Sequence, residues 1–265
     1  MGSHTLVMLG AGYTASFVSQ LAPARYTRIL ATSRAPDKNL SHMPSGQRIH
    51  FDLCQTETWT NIPGQADLLW CFPAMPLGLI RAFATAAEAE TRRLVVLGST
   101  SAYDLGGRQG YPPPWVDETM PIDLTKARVE GEEFLRRECR AIILRVAGIY
   151  GPHRHPFEWI KTGRVGASRK FVNLIHVKDV AAACLAALER GTPGEAYNVS
   201  DGTPRTWKEI CGMAKTRWGV TCPMTVPREE TGKRLSNAKL LKELGYTIQY
   251  PDLYKALDSL YRDSH

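Results

Sequence analysis

A glycine-rich turn near the start of the chain constrains the fold more than any other feature. The apolar run Thr5–Leu9 predicts a buried strand, and a turn containing Gly10 and Gly12 follows it directly, before a predicted helix. Gly10 permits a tight turn, Gly12 lets a ligand approach the backbone, and Ala15 is small enough for close packing of helix on strand. A strand, this turn and a helix in succession predict a phosphate site at the helix N-terminus.

Strands and helices alternate along the next 130 residues. Further strands are predicted at Arg28–Thr32, Arg48–Leu53, Asp67–Phe72, Arg93–Leu97 and Ala141–Arg145, with helices at Leu79–Glu90 and Lys126–Glu138. This alternation predicts βαβ units, and hence an α/β fold with a Rossmann-type, doubly wound parallel sheet. With the turn above, the fold points to a dinucleotide as the ligand.

After Gly151-Pro152 the pattern loosens. The later predicted elements are helices at Val180–Glu189, Trp207–Trp218, Asn237–Leu244 and Leu253–Tyr261, and a short strand at Ala196–Val199. We expect residues 1–150 to form the dinucleotide-binding domain. Residues 151–265 are expected to form mainly a small C-terminal substrate lobe at the carboxyl edge of the sheet, with some segments returning to the first domain.

The end of the second predicted strand bears on the choice of cofactor. NAD-binding domains of this type usually place Asp or Glu there, on the ribose 2′-hydroxyl, whereas this chain has Ser33 and Arg34. A guanidinium can bind a 2′-phosphate, so NADP is favoured over NAD. The alternative is an exposed surface Arg34, with NAD bound by its neighbours. The predicted cofactor-binding residues are Gly10, Gly12, Tyr13, Thr14, Ala15, Ser33, Arg34, Asp52, Leu53, Phe72 and Pro73.

Composition and charge narrow the classes of partner. The formal net charge is +7, and residues 133–265 carry the excess, with 22 Lys and Arg against 14 Asp and Glu. A basic half favours a small anionic substrate, although a solvated basic surface explains it equally well. Lys/Arg runs with interleaved aromatics are missing, which argues against nucleic acid. No apolar run reaches about 18 residues, which argues against a membrane span.

The six cysteines form no C-x-x-C pair and resemble no disulfide or zinc framework. The sequence therefore predicts reduced thiols, no metal site and a cytoplasmic protein.

Four stretches resemble the NAD(P)-dependent epimerase/dehydratase family, the extended or atypical short-chain dehydrogenase/reductases. They are Gly10-x-Gly12-x-x-Ala15; Leu97–Tyr103 (LGSTSAY); Leu144-Arg145-x-x-Gly148–Pro152; and Leu174-Ile175-His176-Val177-x-Asp179-Val180 with Tyr197–Gly202. Lys233–Asn237 resembles a late basic motif of the same family. The resemblance covers nearly the whole chain and implies NAD(P)-dependent chemistry.

In that family a Tyr-x-x-x-Lys on a helix and an upstream Ser carry the reaction. The Tyr exchanges a proton with the substrate oxygen, and the Lys lowers the pKa of the Tyr and binds the nicotinamide ribose. Ser99 matches the Ser. Aligning Val129–Glu133 with the family places Leu124 at the Tyr position and Arg128 at the Lys position. Arg128 can hold a ribose or phosphate but is a poor proton carrier.

Three residues are considered as substitutes for the missing acid: Tyr103, Tyr111 and Lys126. The predicted catalytic set is Ser99, Tyr103 and Arg128. Ser101, Arg154, His176 and Arg234 are predicted to bind substrate, and His176 is expected to support the lobe rather than take part in chemistry.

Two functions remain open from the sequence. One is an NADP-dependent oxidoreductase or epimerase/dehydratase-like enzyme acting on a small anionic carbonyl or hydroxyl compound, with a nucleotide sugar among the candidates. The other is a non-catalytic NAD(P)-binding sensor, which the missing Tyr favours. The resemblance also implies a homodimer.

Overall fold

The computed structural model describes residues 4–87, 91–105, 110–222 and 231–263. The strands are β1 (Thr5–Leu9), β2 (Arg28–Ser33), β3 (Arg48–His50), β4 (Ala66–Trp70), β5 (Thr91–Ser99), β6 (Trp115–Val116), β7 (Ile142–Val146), β8 (Gly148–Tyr150), β9 (Phe171–Val172), β10 (Leu174–His176), β11 (Ala196–Val199), β12 (Arg205–Thr206) and β13 (Arg234–Leu235). The helices are α1 (Tyr13–Leu21), α2 (Pro36–Asn39), α3 (Leu77–Ala87), α4 (Ala127–Glu138), α5 (Pro156–Lys161), α6 (Val177–Arg190), α7 (Trp207–Trp218), α8 (Ala238–Leu244) and α9 (Leu253–Asp263).

A seven-stranded sheet forms the centre of the fold, in the order β11-β7-β5-β4-β1-β2-β3. Strand β1 pairs in parallel with β2 on one side and β4 on the other, and β2–β3 and β4–β5 are also parallel. The strand order reverses next to β1, which is the position where doubly wound sheets bind their ligands. The predicted Rossmann-type α/β fold is confirmed.

The central strands form because their side chains are apolar on both faces. Leu6–Leu9 of β1 are almost fully buried, as are all five residues of β4. Trp70 of β4 makes an edge contact with Phe83 of α3, with ring centroids 5.5 Å apart. A continuous apolar run buried on both faces is the pattern expected of a parallel strand covered by helices.

The described chain divides into two compact units. The first contains Met1–Ala102, Ile122–Arg145 and Ala181–Tyr197. The second contains Tyr103–Pro121, Val146–Val180 and Asn198–His265. The division expected from the sequence has one boundary near residue 150, with some later segments returning to the first domain. In the structure, Ala181–Tyr197 belongs to the first unit, and Tyr103–Pro121, which precedes residue 150, belongs to the second.

The second unit has an apolar core of its own, which includes Phe157, Leu174 and Leu257. Its strands pair in three small sheets: β8 with β10, β9 with β12 and β6 with β13. The fully buried carboxylate of Asp179 accepts hydrogen bonds from the Tyr246 hydroxyl and from two backbone N–H groups. Because all these donors lie after α8, the hydrogen bonds of the buried Asp179 carboxylate hold this segment against the start of α6.

The predicted elements agree with the observed ones in type and place. The predicted third strand is shorter than expected and ends at His50. The predicted end of the Leu79–Glu90 helix lies outside the described residues, which follow α3 only to Ala87.

The six cysteines are thiols that take part in no disulfide bond. Within the described ranges, no three His, Cys, Asp or Glu side chains come together as a metal site requires. Among the described residues, none of the helices combines the length and apolar character needed to cross a bilayer.

Candidate functional site

The turn after β1 has the conformation that its glycines predict. Gly10 has a φ of +84°, and an added Cβ would lie 2.8 Å from Cδ1 of Phe72. Its backbone N–H donates to Oγ1 of Thr32 at 2.9 Å, and the Ala11 N–H donates to the Thr32 carbonyl at 3.1 Å. The turn is therefore fixed to the end of β2, and residue 10 must be glycine for both conformational and steric reasons.

Gly12 is the N-cap residue of α1 and has open space in front of it. A Cβ added there would meet nothing within 4 Å, and its φ of −92° suits any residue. Glycine has no side chain with which to cap the first turn, so backbone N–H groups at this positive helix end face outward. The loop therefore fits a pyrophosphate, as the sequence predicts.

The next three residues predicted to bind the cofactor, Tyr13, Thr14 and Ala15, differ in how far their side chains are buried. Thr14 and Ala15 are buried, so any contact they make with a phosphate must come from their backbone N–H groups. Tyr13 is half-buried, and its ring packs edge-on against Phe17. The small side chain of Ala15 allows the close packing of α1 on the sheet that the motif requires.

Ser33 and Arg34 lie at the carboxyl end of β2. Oγ of Ser33 accepts hydrogen bonds from the Ala35 backbone N–H at 3.1 Å and from Nδ2 of Asn39 at 2.9 Å. These bonds order the short turn that leads into α2. Arg34 is exposed beside this turn. Its role toward a 2′-phosphate stays a prediction.

The remaining predicted cofactor residues follow β3 and β4. Oδ1 of Asp52 accepts a hydrogen bond from the Cys54 backbone N–H at 2.9 Å, and Leu53 is buried, so only its backbone can reach a ligand. The Phe72 ring packs on Trp70 with centroids 4.7 Å apart. Pro73 is exposed. All these positions lie at the carboxyl ends of parallel strands, where the predicted site belongs.

Ser99 ends β5, and Ser101 lies in the short 3-10 turn that follows it. The backbone N–H of Ser101 donates to Oγ of Ser99 at 3.2 Å, and the two hydroxyl oxygens are 3.5 Å apart. Both residues are half-buried. The two hydroxyls thus form a polar pair at the sheet edge that also carries the glycine turn.

The structure corrects the expected geometry of the vacant Tyr position. The resemblance implies that Leu124 and Arg128 lie on one helix, but α4 begins at Ala127. Leu124 is 50% exposed and precedes the helix. The side chain of Asp123 accepts hydrogen bonds from the backbone and hydroxyl of Thr125, which forms a turn there instead.

Two cations converge on Ser101. Nζ of Lys126 donates to the Ser101 carbonyl at 2.7 Å, and Nη2 of Arg128 donates to the Ser101 hydroxyl at 2.5 Å. Arg128 also lies 3.1 Å from the carboxylate of Glu132, one helical turn further along α4. The predicted residues Ser99, Ser101, Lys126 and Arg128 therefore form one cluster in the first unit.

Glu132 adjoins this cluster, although it is not among the residues predicted from the sequence. The carboxylate is only 2% exposed and lies beside Gly98, where an added Cβ would be 2.6 Å from Oε2 of Glu132. Burial raises the pKa of Glu132 to about 7, opposed chiefly by Arg128. The available signal was its i,i+4 spacing from Arg128.

Tyr103, predicted as a catalytic residue, lies in the interior of the second unit. The side chain is fully buried in the second unit, and its hydroxyl donates to Oδ1 of Asn198 at 2.8 Å. Asn198 is itself buried and donates to the Ser236 carbonyl. This burial and hydrogen bonding are typical of a packing tyrosine, and a catalytic role of Tyr103 stays a prediction.

His176 is also enclosed. It is 3% exposed, stacks on the Tyr250 ring at 3.8 Å and contacts Tyr150 edge-on. Burial lowers the pKa of His176 to about 4, and the nearby Lys178 acts in the same direction. The imidazole is therefore neutral near pH 7 and packs inside the second unit, and its role toward a substrate stays a prediction.

Two predicted substrate residues of the second unit lie nearer its surface. Arg154 is exposed in a tight turn whose backbone pairs with Gly151 in both directions. Nε of Arg234 donates to the Pro113 carbonyl at 2.6 Å, and its guanidinium lies 5.1 Å from the centre of the exposed Trp115 ring.

A cation–aromatic cluster surrounds Arg234 in the second unit. The guanidinium of Arg169 lies 3.8 Å from the centre of the Tyr111 ring, which in turn contacts Phe171 at 5.6 Å. Tyr111 and Trp115 are both nearly half exposed. A surface of this composition suits planar and anionic groups. Tyr111, proposed above as a substitute acid, is here a stacking residue.

Comparison with known proteins supports the family suggested by the motifs. The model of the NAD dependent epimerase/dehydratase family matches residues 73–200. Protein YeeZ of Escherichia coli K12 is 29% identical over 168 residues, which is 60% of this chain and 59% of that protein. The match therefore spans less than two thirds of the curated relative.

Solved structures agree over nearly the full chain. A functionally unknown conserved protein from Silicibacter pomeroyi is 28% identical, with 99% of each chain covered and a TM-score of 0.76. MoeE5 in complex with UDP-glucose and NAD shares the fold at 17% identity, with a TM-score of 0.76 over 98% of this chain and 99% of that one. The chain is therefore similar to the NAD dependent epimerase/dehydratase family over residues 73–200, has the fold of solved short-chain dehydrogenase/reductases, and lacks a Tyr-x-x-x-Lys pair.

Proposed function

We propose that the chain is an NADP-dependent oxidoreductase or epimerase/dehydratase-like enzyme acting on a small anionic carbonyl or hydroxyl compound. The similarity to the epimerase/dehydratase family over residues 73–200 supports an NAD(P) cofactor and epimerase/dehydratase-like chemistry. The observation that carries the proposal is the cluster of Ser99, Ser101, Lys126 and Arg128 in the same unit as the open turn at Gly12. Since β1 and β5 are separated only by β4, the two features follow strand ends about 10 Å apart.

We assign the following binding and catalytic roles to residues of the first unit. The first turn of α1 binds the pyrophosphate, and Arg128 holds the nicotinamide ribose. Ser99 donates a hydrogen bond to the substrate oxygen, while the ammonium of Lys126 adds positive charge beside it. The cofactor, when bound, supplies hydride transfer. With Leu124 outside the helix and Tyr103 buried, the proton must come from Ser99, Lys126 or water.

We expect NADPH to bind at least about tenfold more tightly than NADH, which corresponds to about 1.4 kcal/mol. The reason is the exposed guanidinium of Arg34 at the end of β2, where a carboxylate would repel a 2′-phosphate. Fluorescence titration of both cofactors against wild type and Arg34→Ala measures the preference. The matched control is Arg28→Ala, an exposed arginine at the other end of β2. Equal affinities in the wild type would refute the NADP assignment.

The anionic character of the substrate is proposed from the second unit. Arg169 and Arg234 hold their guanidinium groups over exposed aromatic rings, and Arg154 is exposed in its turn. Arginine on an aromatic surface recognises a planar group and a phosphate together. A nucleotide sugar has both, and MoeE5, which has the same fold, was solved with UDP-glucose. A panel of nucleotide sugars and small keto acids is the first screen.

Ser99→Ala is expected to lower turnover about tenfold or more while leaving NADPH affinity within about twofold, because Ser99 is the half-buried donor at the strand end. Steady-state kinetics with a substrate from the panel measures this. Ser19→Ala on α1 is the control, since the Ser19 hydroxyl donates to the Ser16 carbonyl of the same helix. Wild-type turnover in Ser99→Ala would remove Ser99 from the mechanism.

The second candidate function is a dinucleotide-binding sensor. It is favoured by Leu124, an apolar and half-exposed residue at the family's Tyr position. A sensor binds NADPH and shows no turnover with any member of the panel. The same titration and kinetic measurements therefore separate the two functions.

A further inference from the structure

The pair formed by Arg128 and Glu132 has a feature that its sequence spacing does not reveal. Nε of Arg128 and Oε1 of Glu132 are both buried and lie 3.1 Å apart, yet neither makes a hydrogen bond to any described residue. The two atoms are close enough for a strong electrostatic attraction but are not aligned as donor and acceptor. The contact therefore depends mainly on Glu132 being ionised.

We propose that Glu132 is a positioning residue whose ionised carboxylate holds the Arg128 guanidinium against Ser101, so that dinucleotide affinity depends on the charge of Glu132. The proposal rests on the function proposed above, in which Arg128 holds the cofactor ribose. It explains how an arginine can act at the family's Lys position. A flexible guanidinium must be fixed before it can pre-organise a site, and Glu132 is the group that fixes it.

The groups around Glu132 leave Arg128 as its ionic partner. Arg145 of β7 acts on Glu132 electrostatically, but it donates its hydrogen bond to Glu133 at 3.1 Å. Glu133 is further bound by Arg136 of its own helix. From β5, the neighbour of Glu132 is the backbone of Gly98, which carries no charge. The charge of Glu132 is therefore balanced chiefly by Arg128.

The burial of Glu132 makes this device sensitive to pH near neutrality. Removal from water raises the pKa of Glu132 to about 7, while Arg128 and Arg145 lower it and Glu133 raises it. Above that pH the carboxylate is charged and Arg128 is held. Below it the carboxyl is neutral, and Arg128 loses its electrostatic anchor. We expect dinucleotide affinity to fall as the solution is acidified through this range.

The first test is a binding titration of wild type, Glu132→Gln and Arg128→Met with NADH between about pH 6 and pH 8.5. NADH is the probe because it lacks a 2′-phosphate that would titrate in the same range. Wild-type affinity is expected to rise about tenfold across the range, and that of both variants to change by less than about twofold. Glu130→Gln, an exposed glutamate of the same helix, is the matched control and keeps the wild-type slope.

The second test starts from the free protein, without a cofactor. The NMR resonance of Arg128 Nε in the free protein is expected to shift with a midpoint near neutral pH in wild type, and to stay flat in Glu132→Gln. By linkage, saturating NADH should move the wild-type midpoint to lower pH. Arg128→Met removes the guanidinium without burying a new polar group, so it replaces Glu132→Gln in the binding titration if Glu132→Gln does not fold.

The outcomes separate this inference from the function on which it rests. A flat Arg128 Nε signal in wild type, or a pH slope that persists in Glu132→Gln, overturns the role of Glu132. A titrating signal with no dinucleotide bound at any pH supports the Arg128–Glu132 coupling and refutes the proposed function instead.

Discussion

Gly12→Val is expected to weaken dinucleotide binding by at least about 100-fold, or about 2.8 kcal/mol, while the protein remains folded. Its φ of −92° is accessible to valine, and an added Cβ meets nothing within 4 Å, so neither strain nor a clash opposes folding. The open space is the one a pyrophosphate would fill in front of the first turn of α1. A branched side chain there excludes the phosphate and leaves the rest of the fold untouched.

Circular dichroism measures whether Gly12→Val remains folded, and a cofactor titration measures its dinucleotide affinity. Gly46→Val is the control, because Gly46 also has nothing within 4 Å of an added Cβ but lies outside the turn. Gly10→Ala makes the opposite comparison, since its positive φ and the Phe72 ring predict loss of stability as well as binding. Wild-type affinity in a folded Gly12→Val protein would remove Gly12 from the site.

Gly131→Ala is expected to destabilise the protein by about 3 kcal/mol or to prevent its folding. Gly131 lies within α4, and an added Cβ would lie 1.9 Å from the backbone oxygen of Ala74 and 2.9 Å from its carbonyl carbon. Both are backbone atoms, so no side-chain rotation relieves the overlap. The helix would have to move away from the segment after β4, taking Arg128 and Glu132 with it.

The matched control for this prediction is Gly212→Ala within α7. An added Cβ at Gly212 meets nothing within 4 Å, and alanine has the higher helix propensity, so this variant should gain about 0.5–1 kcal/mol. Denaturant unfolding of the three proteins gives the comparison. The same change in two helices is thus expected to have opposite signs, and a stable Gly131→Ala protein would contradict the packing of α4 on Ala74.

The parallel sheet and the glycine turn after β1 could be predicted from the sequence, because the patterns that indicate them are local. An uninterrupted apolar run such as Thr5–Leu9 can be buried on both faces, and the glycines after it permit the turn that binds Thr32. Each of these facts involves residues near one another in the chain or at the ends of neighbouring strands. The fold and the cofactor turn could therefore be derived without a structure.

The details of the candidate catalytic cluster could not be derived in this way. Tyr103 and Ser101 lie two residues apart, yet one is fully buried and the other half-buried, and no periodicity in the 3-10 turn distinguishes them. In the sequence, Glu132 resembles an exposed charged residue of a polar helix. Its burial results from contact with Gly98 of β5, which the sequence does not show. Leu124 fell outside α4 because the Asp123 side chain favours a turn there.

The late position of β11 in the sequence has a consequence for the synthesis of the protein. Strand β7 lies between β5 and β11, and β11 begins only at Ala196. A nascent chain, or a fragment cut near residue 150, would present β7 as an open edge with unpaired backbone groups, which promotes association with other chains. The cofactor half cannot then be isolated as a continuous N-terminal piece, and a fragment meant to preserve it must extend through β11.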